Sequence, residues 1–219
     1  MRIDRRLARA ELAAAVLWMC ARPALPAGAT TGLDSYLEAL KTWSGAFSQT
    51  VVDARGKQVS TGRGQLLIVR PGRFRWESAP EGAGDSAQLL VADGRNLWFY
   101  DRDLEQVTVK PQSAALPQSP AMLLAGGGEL RSAFQVQADG RSEGLDWVAA
   151  RPRDAASDFR EARFGFARGE LQRLVVVDKL GQRSTLVFTG VKRNAPVDES
   201  LVSFTPPKGA DLIGRPLAP

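Results

Sequence analysis

Between Gln65 and Asp101 the chain reads QLLIVRPGRFRWESAPEGAGDSAQLLVADGRNLWFYD, and this stretch constrains the fold more than any other. Polar and apolar residues alternate, Val, Leu, Trp, Phe and Tyr are frequent, and Arg70-Pro71-Gly72 and Asp93-Gly94 break the run. That pattern predicts four antiparallel strands of a curved sheet. Pro71 fixes its own φ and pushes Arg70 into the extended region, Gly72 permits a sharp reversal, and Asp-Gly between apolar runs favours a two-residue hairpin. Arg70 is therefore expected at a strand end.

Before this core, Leu33, Tyr36, Leu37, Leu40 and Trp43 recur at helical spacing and predict an amphipathic helix, after which the period changes to two through Phe47 and Thr50. A long strand is expected over 59–69, with Gly62-Arg63-Gly64 inside it marking a bulge or a close backbone approach. After a strand at 106–110 the prolines at 111, 117 and 120 break the pattern. Pro120 to Ala125 reads as a short apolar helix ended by three glycines, and Glu129 to Phe134 as another. Strands are expected again over 145–150, 159–167, 171–178, 182–192 and 201–205, with hairpin turns at Arg168-Gly169 and Leu180-Gly181. About eleven strands joined by hairpins, with few helices, argue a mainly β chain: an open or incomplete antiparallel β-barrel. An interior wider than a barrel of roughly eight strands needs helical packing or a ligand to fill it.

Function classes fall away by composition. The chain has no His, and its one Cys is Cys20, which removes Ser-His-Asp and Cys-His catalysis and the usual zinc sites. No enzyme and no cofactor is expected. Asp53, Glu77, Asp93 and Asp101 fall at turns or strand ends, where solvated or turn-forming acids are the rule. Residues 1–29 carry five Arg against Asp4 and Glu11, a net +3 of the chain's +5. The remaining +2 includes no basic helix, so nucleic acid is not an expected partner. An Arg-rich start, a short apolar run over 12–19 and Ala27-Gly28-Ala29 form a secretory signal peptide. Cleavage is expected after Ala29, leaving one domain over 30–219 with no disulfide. Leu17-Trp18-Met19 before Cys20 is a poor lipidation signal.

The order V-R-P-x-x-F-x-W, then L-L-V-x-D-G-x-x-L-W-F-Y-D, resembles the periplasmic carrier of outer-membrane lipoproteins, the LolA family. Phe47-Ser48-Gln49, Pro120-Ala121-Met122-Leu123-Leu124 and Phe204-Thr205-Pro206-Pro207-Lys208-Gly209 extend the resemblance over most of the chain after about residue 31. It implies an open barrel covered by an α-helical lid that encloses an apolar cavity. Leu37, Trp43, Phe47, Trp76, Met122 and Leu123 are then expected around that cavity, to receive acyl chains, and Arg70 is expected to latch the lid through helix carbonyls. The implied partners are acylated lipoproteins, an inner-membrane ABC-type release complex and an outer-membrane acceptor, met by a monomer in the periplasm of a Gram-negative bacterium. A lipid-sensing regulator of the same fold, or a carrier of another lipid, is the alternative. Ala121, where a larger apolar side chain is expected, and the short stretch after Ile213 depart from the family pattern.

Overall fold

The computed structural model describes residues 33, 35–82, 88–114, 124–126, 133–155 and 157–218. The signal peptide, Cys20, Met122 and Leu123 lie outside them. Twelve strands form one sheet: β1 Thr42–Val52, β2 Gln58–Val69, β3 Arg73–Pro80, β4 Gln88–Ala92, β5 Asn96–Asp101, β6 Gln106–Pro111, β7 Phe134–Ser142, β8 Leu145–Pro152, β9 Phe159–Ala167, β10 Glu170–Asp178, β11 Arg183–Arg193 and β12 Asp211–Ile213. Their order is β12-β6-β5-β4-β3-β2-β1-β11-β10-β9-β8-β7. Two hairpin meanders, β1–β6 and β7–β11, are therefore joined along one seam, where β1 pairs antiparallel with β11 and Phe47 faces Phe188.

The sheet is open, since its outermost strands β12 and β7 do not meet. It still curls, because one inner-face core joins Leu97 of β5, Phe47 of β1, Phe188 of β11, Phe164 of β9 and Phe134 of β7. Leu33, Tyr36 and Leu37 from the helical residues 33 and 35–38, and Leu40 just after them, are buried in the same core, as are Leu124 and Ala125.

Four expectations need correction. The first helix does not reach Trp43, which lies in β1. Asn194, at the end of β11, ends the helix: its amide nitrogen donates to the Ala39 carbonyl at 2.8 Å, and its side-chain oxygen accepts from the Lys41 N–H at 2.7 Å. The strand expected over 201–205 is a 3-10 turn at Glu199–Val202 followed by irregular chain. Among the described residues the strand count is twelve: Phe134–Ser142, where no strand is expected and whose first residue is expected to end a helix, forms β7, and Asp211–Ile213 pairs with β6 in parallel. Lastly, the two-residue loop after β4 is Gly94-Arg95, flanked by the Asp93 N–H to Asn96 carbonyl bond at 3.1 Å. Asp93 closes this turn by accepting from the Arg95 and Asn96 N–H groups and from Trp98 Nε1 at 2.7 Å.

The C-terminal stretch covers part of the outer face. Leu89, Val91, Trp98, Val107 and Val109 pack there beneath Phe204 and Ala210 of the C-terminal stretch. β4 and the first half of β5 are thus covered on both faces, which is why LLV and LW run apolar without alternation, while Phe99 is exposed. The C-terminal stretch continues to Leu217, whose N–H donates to the Asn96 side-chain oxygen at 2.8 Å and whose carbonyl accepts from Asn96 Nδ2 at 3.1 Å.

Candidate functional site: an apolar cavity beside a fastened helical segment

The Arg70-Pro71-Gly72 turn joins β2 to β3, with a cis Arg70–Pro71 bond and Gly72 at φ 73°. It makes two consecutive attachments to the helical residues that follow. Arg70 Nη1 donates to the Leu124 carbonyl at 3.3 Å, and the Gly72 N–H donates to the Ala125 carbonyl at 2.7 Å. Helix-end carbonyls have no partner within their own helix, so these donors meet a standing need. Burial works against the charge of the half-buried Arg70 and lowers its pKa. Buried Gln112 braces the turn from below: its Nε2 donates to the Gly72 carbonyl at 2.6 Å, and its Oε1 accepts from the Gly94 N–H at 3.0 Å.

On the inner face, cross-strand registers place Leu66 opposite Trp76, Trp76 opposite Leu90, and Leu90 opposite Phe99. Phe47 reaches Trp76 although β2 lies between them. It can do so because Gly64, its partner on β2, has no side chain. A Cβ built on Gly64 would stand 2.5 Å from Phe47 Cζ and overlap the Glu77 carbonyl, so the Phe47 ring occupies that space and meets the Trp76 ring at a centroid distance of 4.7 Å. The Gly62-Arg63-Gly64 run is therefore a close approach, with unbroken register on both sides.

Beyond Trp76 the inner face leaves a cavity of about 280 Å³. Trp76, Leu90, Phe99, Leu174, Val176 and Leu186 form its apolar wall, and Gln49, Ser78, Gln88 and Ser184 complete it. Of the residues expected there, Trp76 lines the cavity, whereas Leu37, Trp43 and Phe47 are buried in the adjoining core. Met122 and Leu123 lie outside the described residues. Leu90, Phe99, Leu174 and Leu186 are additions that the sequence reading does not contain. Strand parity could have found the first two, since they lie directly across from Trp76 in successive strands.

The helical residues 33 and 35–38 meet the core through Tyr36, whose ring lies edge-on to Phe166 at 5.2 Å with the Arg193 guanidinium 5.2 Å away. Burial first, then the Glu170 carboxylate, push the phenol pKa up to about 12. The neighbouring Trp43 side chain and Leu171 backbone pull the other way without offsetting burial, and neither the Tyr36 hydroxyl nor Trp43 Nε1, both buried, makes a well-formed hydrogen bond among the described residues. The acids elsewhere do ordinary work: Glu77 pairs with Arg102 at 2.6 Å and with Arg75 at 3.4 Å. Among the described residues no group of three or more His, Cys, Asp or Glu side chains could hold a metal ion.

The family profile described as "Outer membrane lipoprotein carrier protein LolA" matches residues 38–205. The outer-membrane lipoprotein carrier protein of Chromobacterium violaceum is 39% identical over 201 residues, covering 92% of this chain and 94% of that one. Its counterpart in Dechloromonas aromatica is 36% identical over 189 residues, 86% and 89% of the two chains. A crystal structure of an uncharacterised conserved protein from Thermus thermophilus shares the fold, with a TM-score of 0.53 at 15% identity over 86% of this chain and 99% of that one. By the extent of the profile match and the identity to whole-length relatives, this chain belongs to the outer-membrane lipoprotein carrier (LolA) family.

Proposed function

We propose that the protein is a periplasmic carrier: it takes the acyl chains of lipoproteins released by an inner-membrane ABC-type complex and passes them to an outer-membrane acceptor, with no catalytic step of its own. Residues 1–29 direct export, and the domain over 30–219 does the carrying. The carrying observation is the apolar cavity beside Trp76, next to helical residues fastened by the Arg70–Gly72 turn. Each CH₂ of an acyl chain gains about 0.8 kcal/mol by leaving water, so a lipoprotein needs continuous apolar cover between membranes. A cavity of about 280 Å³ sits below the roughly 300–1,000 Å³ range of small-ligand pockets. Several acyl chains exceed it, and on this reading the structure represents the closed form. Loading moves the helical segments off the inner core and lets Leu37, Trp43, Phe47, Met122 and Leu123 join Trp76 around the chains.

Release requires closed and open forms of similar free energy, because a ligand shifts such an equilibrium only by its differential affinity. Arg70 acts as the latch on the closed side, and its fixed fork of donors suits carbonyls that must be held and then freed. Arg70→Leu should weaken the closed form, so that lipoprotein loads but passes to the acceptor more slowly, with Arg70→Lys an incomplete rescue. Transfer by Arg70→Leu at the parent's rate in a purified carrier-to-acceptor assay would refute the latch.

A further inference from the structure

The cavity wall is polar at four places and charged at none of its lining residues. Ser78 and Gln88 face each other across β3 and β4. Across the cavity, Gln49 lies opposite Leu186 of β11, and Ser184 is two residues along the same face. None of these four side chains has a hydrogen bond among the described residues. Hydroxyls and carboxamides both donate and accept, so the rim offers unused partners of either sense above an apolar floor.

Strand parity keeps cations away from this rim on β3 and β10. Arg75 and Arg173 belong to the opposite face, paired with Val91 and Val187. Asp101 does share the row of Gln88; its Oδ1 accepts from the N–H groups of Asp103 and Leu104 at 3.1 and 3.2 Å, and its carboxylate repels a second anion placed there. A carboxylate at this level would meet no cation among the lining residues and would stand in the row of the Asp101 carboxylate, which disfavours it. An ester or amide carbonyl, being neutral, would avoid this and gain a donor from Gln49, Gln88 or a serine.

Resting on the acyl-chain reading above, we infer that Gln49, Ser78, Gln88 and Ser184 form a linkage-binding subsite that selects acyl chains attached through neutral esters or amides and rejects free, ionised fatty acids. The chains enter the apolar floor, and the first polar bonds of the ligand stop at the rim.

The test uses the intact chain with a bound hydrocarbon fluorophore, displaced either by a monoacylglycerol or by the fatty acid of the same length at about pH 8, where a free carboxyl is ionised. The parent should bind the ester far better than the acid. Gln49→Leu and Gln88→Leu should each lower the affinity for the ester relative to that for the fluorophore roughly 2- to 10-fold, the effect of losing one neutral hydrogen bond. Gln88→Arg should reverse the preference, gaining the ionised acid about tenfold through a charge-assisted bond. Equal losses of ester and fluorophore in the leucine variants, or parent binding of the ionised acid as tight as of the ester, overturn the subsite alone. Absence of any fluorophore binding by the parent overturns the carrier reading and the subsite with it.

Discussion

Replacing Trp76 and Trp98 by alanine should have opposite signatures, because the two indoles stand on opposite faces of the sheet. Trp98 is buried on the outer face, 5.6 Å from the Phe204 ring, with its N–H on Asp93. Cutting it to Ala leaves a closed hole, a loss of about 3–5 kcal/mol. One hydrogen bond to a carboxylate goes too, though the Arg95 and Asn96 N–H groups still serve Asp93. Trp76 is half-buried and borders space that is already open. Its removal forfeits the ring contact with Phe47, about 0.5–1.5 kcal/mol, plus part of an area term, and widens an existing cavity without creating a new one. A total of about 1–2 kcal/mol follows. With a urea slope of about 2 kcal/mol/M, Trp98→Ala should lower the unfolding midpoint by about 2 M and Trp76→Ala by less than about 1 M. Far-UV circular dichroism reads both without relying on the deleted indole. Titration with a hydrophobic fluorophore should then change for Trp76→Ala and stay as in the parent for folded Trp98→Ala. Equal destabilisation by the two substitutions, with unchanged probe binding by Trp76→Ala, would refute the placement of Trp76 on a functional wall.

Gly64→Ala, whose new methyl must displace the Phe47 ring and meets the Glu77 carbonyl, should cost about 1–3 kcal/mol in urea unfolding and also alter probe binding, because Phe47 supports Trp76. Burial raises the Asp93 pKa, but hydrogen bonds from Asn96, Trp98 and Arg95 outweigh it and hold the carboxyl below its ordinary 3.8. A depressed acid adds stability that is whole above its unfolded value and lost as pH falls through the folded one. Thermal unfolding of the parent should therefore weaken below about pH 3.8, and Asp93→Asn should flatten that acid limb; an unchanged limb would count against the turn's role.

Much of this is legible in the sequence, for reasons that differ from element to element. Period two and the turn residues mark the β2–β5 core, since alternation and turn chemistry are local. Trp43 is ambiguous: it lies three residues after Leu40 on a helical pattern and also two before Gly45 and four before Phe47 on a strand pattern. The hydrogen bonds of Asn194 decide between them, and that residue is far along the chain. Leu174 and Leu186 stay hidden because nothing local tells which apolar strand residues share a face with Trp76 when the β1–β11 seam sets the register. The stretch 201–213 misleads because its apolar residues cover the outside of β4–β6 and only its last part joins the sheet. Arg70's helical partners follow from the family resemblance, as no pattern in the chain links it to Leu124.

The seam between β1 and β11 also sets the order in which the protein can assemble. Within each meander, neighbouring strands are sequence neighbours, so hairpins form early and cheaply. The seam joins the first strand of one meander to the last strand of the other, and the loop entropy for that closure must be met before any of its contacts form. A chain delivered N-terminus first therefore waits, with the inner edge of β1 unpaired, until β11 has been made or has crossed a membrane. During that interval β1 is the strand most exposed to pairing with other chains, and the central inner core, with Phe47 against Phe188, is the last part to become dry.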